Sequence, residues 1–159
     1  MTVSLDERTV ESVKEYFEQS QQSVIRVMLP QKAQSLEEAL DDYRKSLLPT
    51  AASFGRIIRL DGKHVGDIWC YCINRAEEPN AMLSYCVFDV SCWNTGVATQ
   101  AVSLFLDEVR ARYGLESVGA FTYSDNPASC TVLEKNGFAL MEAFDDDGKA
   151  SRYYQKYLK

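Results

Sequence analysis

The first third of the chain carries apolar residues at helical spacing. The pattern predicts one helix over residues 6–21, capped by Asp6, and a second helix over residues 35–47. Ser35 is expected to cap the second helix, because Glu38 follows it three residues later in the arrangement of a capping box. Both predicted helices have one apolar face, so each is expected to pack that face on a core.

The apolar period changes to that of strands after residue 52. Three strands are predicted over residues 53–60, 65–73 and 82–89, and Asp61-Gly62 has the composition of a hairpin turn. Two helices then alternate with three strands; the predicted helices cover 96–113 and 127–136, and the strands cover 117–123, 138–144 and 151–158. This order indicates an α/β (α+β) fold in which helices pack on a mixed sheet.

Length and charge narrow the classes of function. A chain of 159 residues is expected to form a single domain, 1–159. Its net charge of −6 argues against nucleic acid as a partner, because phosphates are bound by clustered Lys and Arg. The charge suits a basic substrate such as an amine, although solubility alone also explains it. No stretch approaches the roughly 20 apolar residues of a membrane-spanning helix, and the N-terminus lacks a secretory pattern, which predicts a cytoplasmic protein.

The cysteines and the histidine predict neither a disulfide framework nor a metal site. The five cysteines are an odd number with irregular spacing. Cys70 and Cys72 are expected to lie on one face of a strand as small apolar residues. His64 is the sole histidine and is expected in solvent at the edge of a turn, so a zinc site is not expected.

Residues 87–101 hold the pattern with the clearest chemical meaning. An apolar strand ends in a polar turn, and Gly96 then precedes an amphipathic helix. The first amides of such a helix have no partner within it and carry partial positive charge, which favours a bound phosphate. Gly96 and the small Ala98 permit close approach of a ligand, and Thr99 adds a hydroxyl. An ordinary strand-to-helix turn explains the same spacing equally well.

Four stretches together resemble a known family. They are Val65-Gly66-Asp67-Ile68, the segment 92–101 (CWNTGVATQA), Asn126-Pro127-Ala128-Ser129 followed by 132–138 (VLEKNGF), and the terminal strand pair with Tyr153, Tyr154 and Tyr157. In this order they resemble the GNAT superfamily of acetyl-CoA-dependent N-acetyltransferases, and more narrowly its ribosomal-protein-alanine-acetyltransferase-like branch. The resemblance implies a mixed, mostly antiparallel sheet of six or seven strands flanked by about four helices. It also implies that a β-bulge in the central strand parts that strand from its neighbour.

The resemblance further implies where acetyl-CoA, the expected co-substrate, is bound. The pyrophosphate is expected on the amides of Asn94, Thr95, Gly96, Val97, Ala98 and Thr99. The pantetheine arm is expected along the strand end at Phe88 and Val90. Asn126 is expected to reach that arm or the reacting region, and Ser129 is expected near the acetyl sulfur.

The chain also departs from the family. Asn94-Thr95 replaces the usual Gly-Lys, Leu133 replaces a common Tyr acid, and Leu83 replaces a carboxylate. The first strand of the family is expected to be nearly absent, because only five residues precede the first predicted helix.

Several residues are candidates for the acetyl-transfer chemistry. Ser129 is expected to donate a proton to the leaving thiolate, or else to cap or pack its helix. Tyr85 and Tyr123 are alternative donors, and each is otherwise a strand aromatic. Asp67 is expected to accept the amine proton, or else to be a polar residue on the open sheet face. The amide of Phe88 is the expected donor to the oxyanion.

Two classes of function remain open from the sequence. The first is an N-acetyltransferase that acts on a primary amine, either a protein N-terminus or a small molecule. The second is a GNAT-fold module that binds CoA without catalysis. No metal is expected, and the chain is expected to be a monomer or a homodimer.

Overall fold

A single sheet organises the structure, a computed structural model that describes residues 1–29 and 33–158. The described residues form seven strands in the spatial order β1-β2-β3-β4-β5-β7-β6. Neighbouring strands are antiparallel except for β4 and β5, which are parallel. The bounds are β1 Val3–Glu7, β2 Phe54–Leu60, β3 Lys63–Asn74, β4 Asn80–Val87, β5 Ser117–Tyr123, β6 Ala139–Asp146 and β7 Lys149–Tyr157.

Helices cover both faces of this sheet. Their bounds are α1 Val10–Ser20, α2 Ser23–Arg26, α3 Leu36–Ser46, α4 Val97–Tyr113 and α5 Pro127–Lys135, with a short 3-10 helix at Val90–Cys92. The α4 helix buries Val102 and Phe105 against Ile68 and Leu83 of the sheet, and α5 lies beside it. On the opposite face, α1 contacts β3, and Ile25 of α2 packs with residues at the end of β4. None of the described helices is long and apolar enough to cross a membrane.

The first strand is present, which corrects the expectation that it is nearly absent. β1 pairs with β2 from Val3↔Leu60 to Glu7↔Arg56, so Asp6 lies in a strand and does not cap a helix. The cap of α1 is Thr9, whose hydroxyl accepts a hydrogen bond from the Ser12 amide at 3.0 Å. Because β1 is short and pairs with residues 49 to 57 positions away, local spacing did not reveal it.

The Ser35 cap of α3 is confirmed. The Glu38 amide donates to the Ser35 hydroxyl at 3.1 Å. The Glu38 carboxylate accepts from the amide of Gln34, one residue before the cap, so the reciprocal half of the expected capping box is shifted by one position.

β4 and β5 diverge, as the family resemblance implied. Their pairing is confined to Asn80↔Ser117, Ala81↔Val118 and Met82↔Gly119, although each strand continues well beyond these residues. At the far end of β4, two successive amides converge on the carbonyl of Val65, from Phe88 at 2.9 Å and from Asp89 at 3.3 Å. Two residues facing one is the pattern of a β-bulge. The parted strands leave a wedge-shaped gap in the sheet.

A second irregularity separates the two cysteines of β3. The pairing register with β4 shifts between Tyr71 and Asn74, and Cys72 takes a left-handed φ of 52°. Cys70 is therefore buried while Cys72 is exposed, so the expectation that they share a face is wrong. All five cysteines are free.

Candidate active site

The gap between β4 and β5 opens into a cavity of about 630 Å³. Residues 83–87 of β4 form one wall and residues 120–122 of β5 form the other. The start of α4 and one side of α5 line it on one face of the sheet, and Ile25, Met28 and Leu29 approach from the other. This volume is within the range of small-molecule sites.

The start of α4 presents unpaired amides to this cavity. Gly96 is the cap with a left-handed φ of 88°, and it supplies no side-chain hydrogen bond. The first bond within the helix runs from the Gln100 amide to the Gly96 carbonyl at 3.0 Å. Among the described residues, the amides of Val97, Ala98 and Thr99 have no acceptor, and all three residues line the cavity. No acidic residue lies in the first turn, so the positive helix end is uncompensated.

The two residues before Gly96 behave differently from each other. Asn94 has a left-handed φ of 61° and lines the cavity with Gly96. Thr95 does not line it, because its hydroxyl donates to the carbonyl of Cys92.

The expected oxyanion donor is occupied elsewhere. The Phe88 amide donates to Val65, and the Phe88 ring is buried in a small apolar cluster with Ile25 and Leu29. Val90 lies in the 3-10 helix with an exposed side chain. Neither Phe88 nor Val90 lines the cavity, so the residues that the sequence predicted for the pantetheine arm lie outside it.

The backbone groups of Tyr85 and Val87 point toward the gap, where those of Phe88 were expected. Successive residues of an antiparallel strand point their N–H and C=O groups to opposite sides. Because Phe88 bonds toward β3, Val87 and Tyr85 point toward the gap. The Trp93 indole N–H donates to the Val87 carbonyl at 2.7 Å, which agrees with that direction. The described part of β5 does not pair with either residue.

Tyr85 and Ser129 meet inside the cavity. The Tyr85 hydroxyl lies 2.9 Å from the Ser129 Oγ atom and 3.3 Å from the Ser129 carbonyl. Burial raises the pKa of Tyr85 well above its ordinary value, so the phenol stays protonated. Both residues line the cavity, which brings together two of the four side chains that the sequence nominated for catalysis.

The Ser129 hydroxyl does not cap α5. The cap is Asn126, whose side-chain oxygen accepts from the Ser129 amide at 3.2 Å. The capping alternative for Ser129 is therefore wrong, and its hydroxyl contacts Tyr85 instead. Asn126 also lines the cavity, but its carboxamide oxygen is committed to the helix, so its NH₂ group remains for a ligand.

Asp67 lies apart from the cavity. It is 1% exposed and does not line the cavity. One carboxylate oxygen is 2.8 Å from His64 Nε2, and the other is 3.3 Å from Arg8 Nε. Burial raises the pKa of Asp67, against the opposing effects of His64 and Arg8. His64 is thus largely enclosed and not solvated, because Asp67 and the Phe88 ring hold it.

The sequence did not single out Lys135, the one cation among the described cavity residues. Ala128, Thr131 and Lys135 recur at helical spacing along α5, and this periodicity was the signal available. The C-cap residue Asn136 also ties α5 to α4, since its side-chain NH₂ donates to the Thr99 carbonyl at 3.2 Å. One cationic residue, Lys135, therefore lines the cavity, although the loop before α4 contains none. The described residues contain no cluster of three potential metal ligands.

Comparison with solved structures finds the same fold in acetyltransferases. The spermidine N-acetyltransferase from Vibrio cholerae, in complex with CoA and spermine, has a TM-score of 0.85 at 13% identity over 98% of this chain and 95% of that one. Mycobacterium smegmatis RimJ, in complex with CoA-disulfide, has a TM-score of 0.84 at 17% identity over 98% of this chain and 82% of that one. The aminoglycoside acetyltransferase AAC(6')-Ib, in complex with coenzyme A and kanamycin, has a TM-score of 0.81 at 16% identity over 99% of this chain and 95% of that one.

Family models give the more direct assignment. A search of curated proteins finds no significant match. The model of the acetyltransferase (GNAT) domain matches residues 4–139, which is most of the chain and includes both walls of the cavity. The chain belongs to the GNAT acetyltransferase family.

Proposed function

We propose that this protein transfers the acetyl group of acetyl-CoA to a primary amine through a direct attack within the strand gap. The observation that carries the proposal is the set of unpaired amides at the start of α4, which face a cavity that continues into the gap between β4 and β5. The acceptors named for the structural neighbours, spermine and kanamycin, are also amines.

The cavity supports binding of CoA at two places. The amides of Val97, Ala98 and Thr99 suit the pyrophosphate, because a helix N-terminus favours a phosphate without any cationic side chain. Lys135 adds a charged contact in the same cavity. The backbone edge at Tyr85 and Val87 suits the amide groups of the pantetheine arm, because the missing strand partner leaves both N–H groups and the Tyr85 carbonyl open to the gap, while the Val87 carbonyl accepts from Trp93.

Positioning supplies much of the rate in this proposal. The amine lone pair attacks the thioester carbonyl carbon, and negative charge develops on the carbonyl oxygen. Holding two reactants in line contributes up to roughly 7–11 kcal/mol. An amide of the β4 edge, at Tyr85 or Val87, would add about 3 kcal/mol by donating to the oxyanion.

Ser129 and Tyr85 stabilise the leaving thiolate. When the C–S bond breaks, the sulfur takes the electron pair, and the Ser129 hydroxyl donates a hydrogen bond to it while accepting one from Tyr85. A thiol has a pKa of roughly 8.5. Since burial raises the pKa of Tyr85 well above 10, complete proton loss from Tyr85 is unfavourable. The proton that ends on sulfur therefore comes from the attacking amine, through solvent.

Asp67 is not proposed as the base for that proton. Both of its carboxylate oxygens already face cationic or donor groups, and it lies outside the cavity. Solvent in the gap accepts the amine proton instead. The alternative of a CoA-binding module without catalysis is less well supported, because the Tyr85–Ser129 pair stands in the cavity with free hydrogen-bonding capacity.

Thiol release from acetyl-CoA in the presence of an amine panel tests the proposal. We expect Ser129→Ala to lower kcat by about 10²-fold, with little change in CoA affinity. Its free energy of unfolding should fall by about 1 kcal/mol through loss of the bond to Tyr85, and the helix cap should survive because Asn126 uses the Ser129 backbone and not the hydroxyl. Ser103→Ala, an exposed α4 serine outside the cavity, is the matched control. Turnover equal to that control would remove Ser129 from the mechanism, and absence of CoA-dependent thiol release would contradict the function itself.

A further inference from the structure

A second, smaller cavity adjoins the first through the strand gap. It has a volume of about 300 Å³ and shares Leu83, Ser84, Phe121 and Thr122 with the larger cavity. The shared residues come from β4 and β5, the two strands that part. The two cavities therefore meet where the proposed transfer takes place.

Four of the nine described residues that line the second cavity are aromatic. Tyr123 pairs with Ser151 and Ser151 with Phe144, so these three residues form a row on one face across β5, β7 and β6. Phe121 packs on Phe144 with ring centroids 5.9 Å apart and an interplanar angle of 79°, yet 45% of it stays exposed. Tyr71 closes the opposite side. The cavity thus has an aromatic side on which part of the Phe121 ring is uncovered.

One carboxylate stands beside these rings. Asp146 is the single charged residue among the described residues that line the second cavity. Lys149 faces Asp146 across the hairpin but bonds to Asp125 at 3.5 Å and lies 4.4 Å from the centroid of the Tyr123 ring. Within the described chain, Asp146 has no ion pair, so its charge is available to a ligand. Lys149 also shows that this aromatic row accepts a cation.

We infer that the second cavity binds the acceptor, and that the acceptor is a small amine with one positive charge on a flat aromatic or apolar body. This inference rests on the proposed acetyl transfer and specifies its second substrate. Aromatic walls favour a flat apolar group, and one carboxylate balances one ammonium. A polyamine or an aminoglycoside carries several charges, which a single carboxylate does not match. A volume of 300 Å³ is at the small end for ligand sites and also favours a small acceptor.

Calorimetric titration of the CoA-loaded protein tests this inference without turnover. We expect 2-phenylethylamine to bind about tenfold more tightly than n-butylamine, because only the former has a ring to pack on the wall. Spermidine should bind more weakly than 2-phenylethylamine. Tighter binding of spermidine, or equal binding of the two monoamines, would overturn the inference.

Variants connect the binding to the named residues. Phe144→Ala should remove most of the preference for 2-phenylethylamine over n-butylamine. Asp146→Asn should weaken both amines about fivefold while leaving the neutral 2-phenylethanol unaffected. Glu142→Gln is the matched control, since Glu142 lies on the same strand but outside the cavity. Amine affinities in Phe144→Ala and Asp146→Asn that equal those of the control would place the acceptor elsewhere.

CoA affinity, measured in the same samples, separates the two proposals. Unchanged CoA affinity shows that each variant is folded with its donor site intact. If the wild-type protein binds CoA but none of the amines, the acceptor site is wrong and the donor site stands. If it binds 2-phenylethylamine through Asp146 and Phe144 but not CoA, the acceptor site stands and the acetyl-CoA site is wrong.

Discussion

Gly96 shows how one residue determines what the start of α4 can bind. Its left-handed φ of 88° reverses the chain between the polar turn and the helix, which leaves the next three amides without partners. An added Cβ atom would meet nothing within 4 Å, so the surrounding space is open to a ligand. Glycine is therefore required for its backbone conformation, and the space beside it is open to a ligand of the helix amides.

A pair of substitutions at Gly96 separates charge from conformation. Asn tolerates left-handed backbone better than most residues, and Asp differs from Asn mainly in charge. We expect Gly96→Asp to bind CoA at least about tenfold more weakly than Gly96→Asn, because its carboxylate would oppose the pyrophosphate at the helix start. Titration calorimetry at two salt concentrations measures this, and the difference should narrow at high salt. Equal affinities at low salt would show that the pyrophosphate lies elsewhere.

At the residue scale, sequence predicted the loop well and the strand end poorly. Asn94, Gly96, Val97, Ala98 and Thr99 line the cavity and Thr95 does not, and their contact with CoA stays a prediction. The segment could be found from the sequence because a turn before an amphipathic helix is a local pattern. The prediction that the Phe88 amide faces the gap is wrong, because the bulge at the end of β4 directs that amide to Val65. That bulge depends on the Val65 carbonyl of another strand, which no local spacing encodes.

At the scale of elements, the β1–α1 junction places a charge inside the fold. Arg8 follows β1 and reaches Asp67 on β3, and Gly55 of β2 makes room for it. A Cβ atom on Gly55 would lie 2.2 Å from the Arg8 guanidinium carbon, which is far inside contact distance. Three strands are thus coupled through one buried ion pair.

We expect Arg8→Ala to lower the free energy of unfolding by about 3 kcal/mol, because it leaves the Asp67 charge buried without that partner. Gly55→Ala should have a similar effect by displacing Arg8. The double variant should lose much less than the sum, since both changes break the same contact. Urea unfolding followed by tryptophan fluorescence measures all four proteins, and strict additivity would show that Gly55 acts independently of Arg8.

The cost of Arg8→Ala should depend on pH in a defined direction. A carboxyl with a raised pKa in the folded state stabilises the fold below its ordinary pKa and loses that contribution as pH rises through the raised value. Burial raises the pKa of Asp67, and removing Arg8 raises it further. The variant should therefore be closest to wild type at acidic pH, where Asp67 is neutral in both, and furthest from it at pH 8. A difference that grows toward acidic pH would contradict this.

Most elements were predictable because their signals are local. The strand 117–123 and the helix before Gly114 agree with their predicted bounds to within a residue. β1 was hidden because five residues carry little pattern and their pairing is long-range. α2 spans only four residues, too few for a helical period, although its Ile25 completes one wall of the cavity.

At the scale of the whole molecule, two cavities meet at the gap between β4 and β5. The larger cavity is lined by α4 and α5 on one face and by Ile25, Met28 and Leu29 from the other, and the aromatic row lines the smaller cavity. The expected mostly antiparallel sheet of six or seven strands is confirmed, with seven strands, and five helices are described where about four were expected. The order of the predicted elements along the chain indicated the sheet. The cavity could not be predicted in that way, because it forms between strands that are distant along the chain.

The two cavities that meet at the gap predict the kinetic order of the reaction, with both substrates bound before the acetyl group is transferred. Because neither substrate has to leave before the other enters, both can occupy the protein together and no acetylated enzyme is needed. The cavity thiols support this, since burial raises the pKa of Cys86 to about 12 and also raises that of Cys92, so neither is a ready nucleophile. Initial rates at varied concentrations of both substrates should give intersecting double-reciprocal lines. Parallel lines would instead indicate a ping-pong route through an acetyl-enzyme.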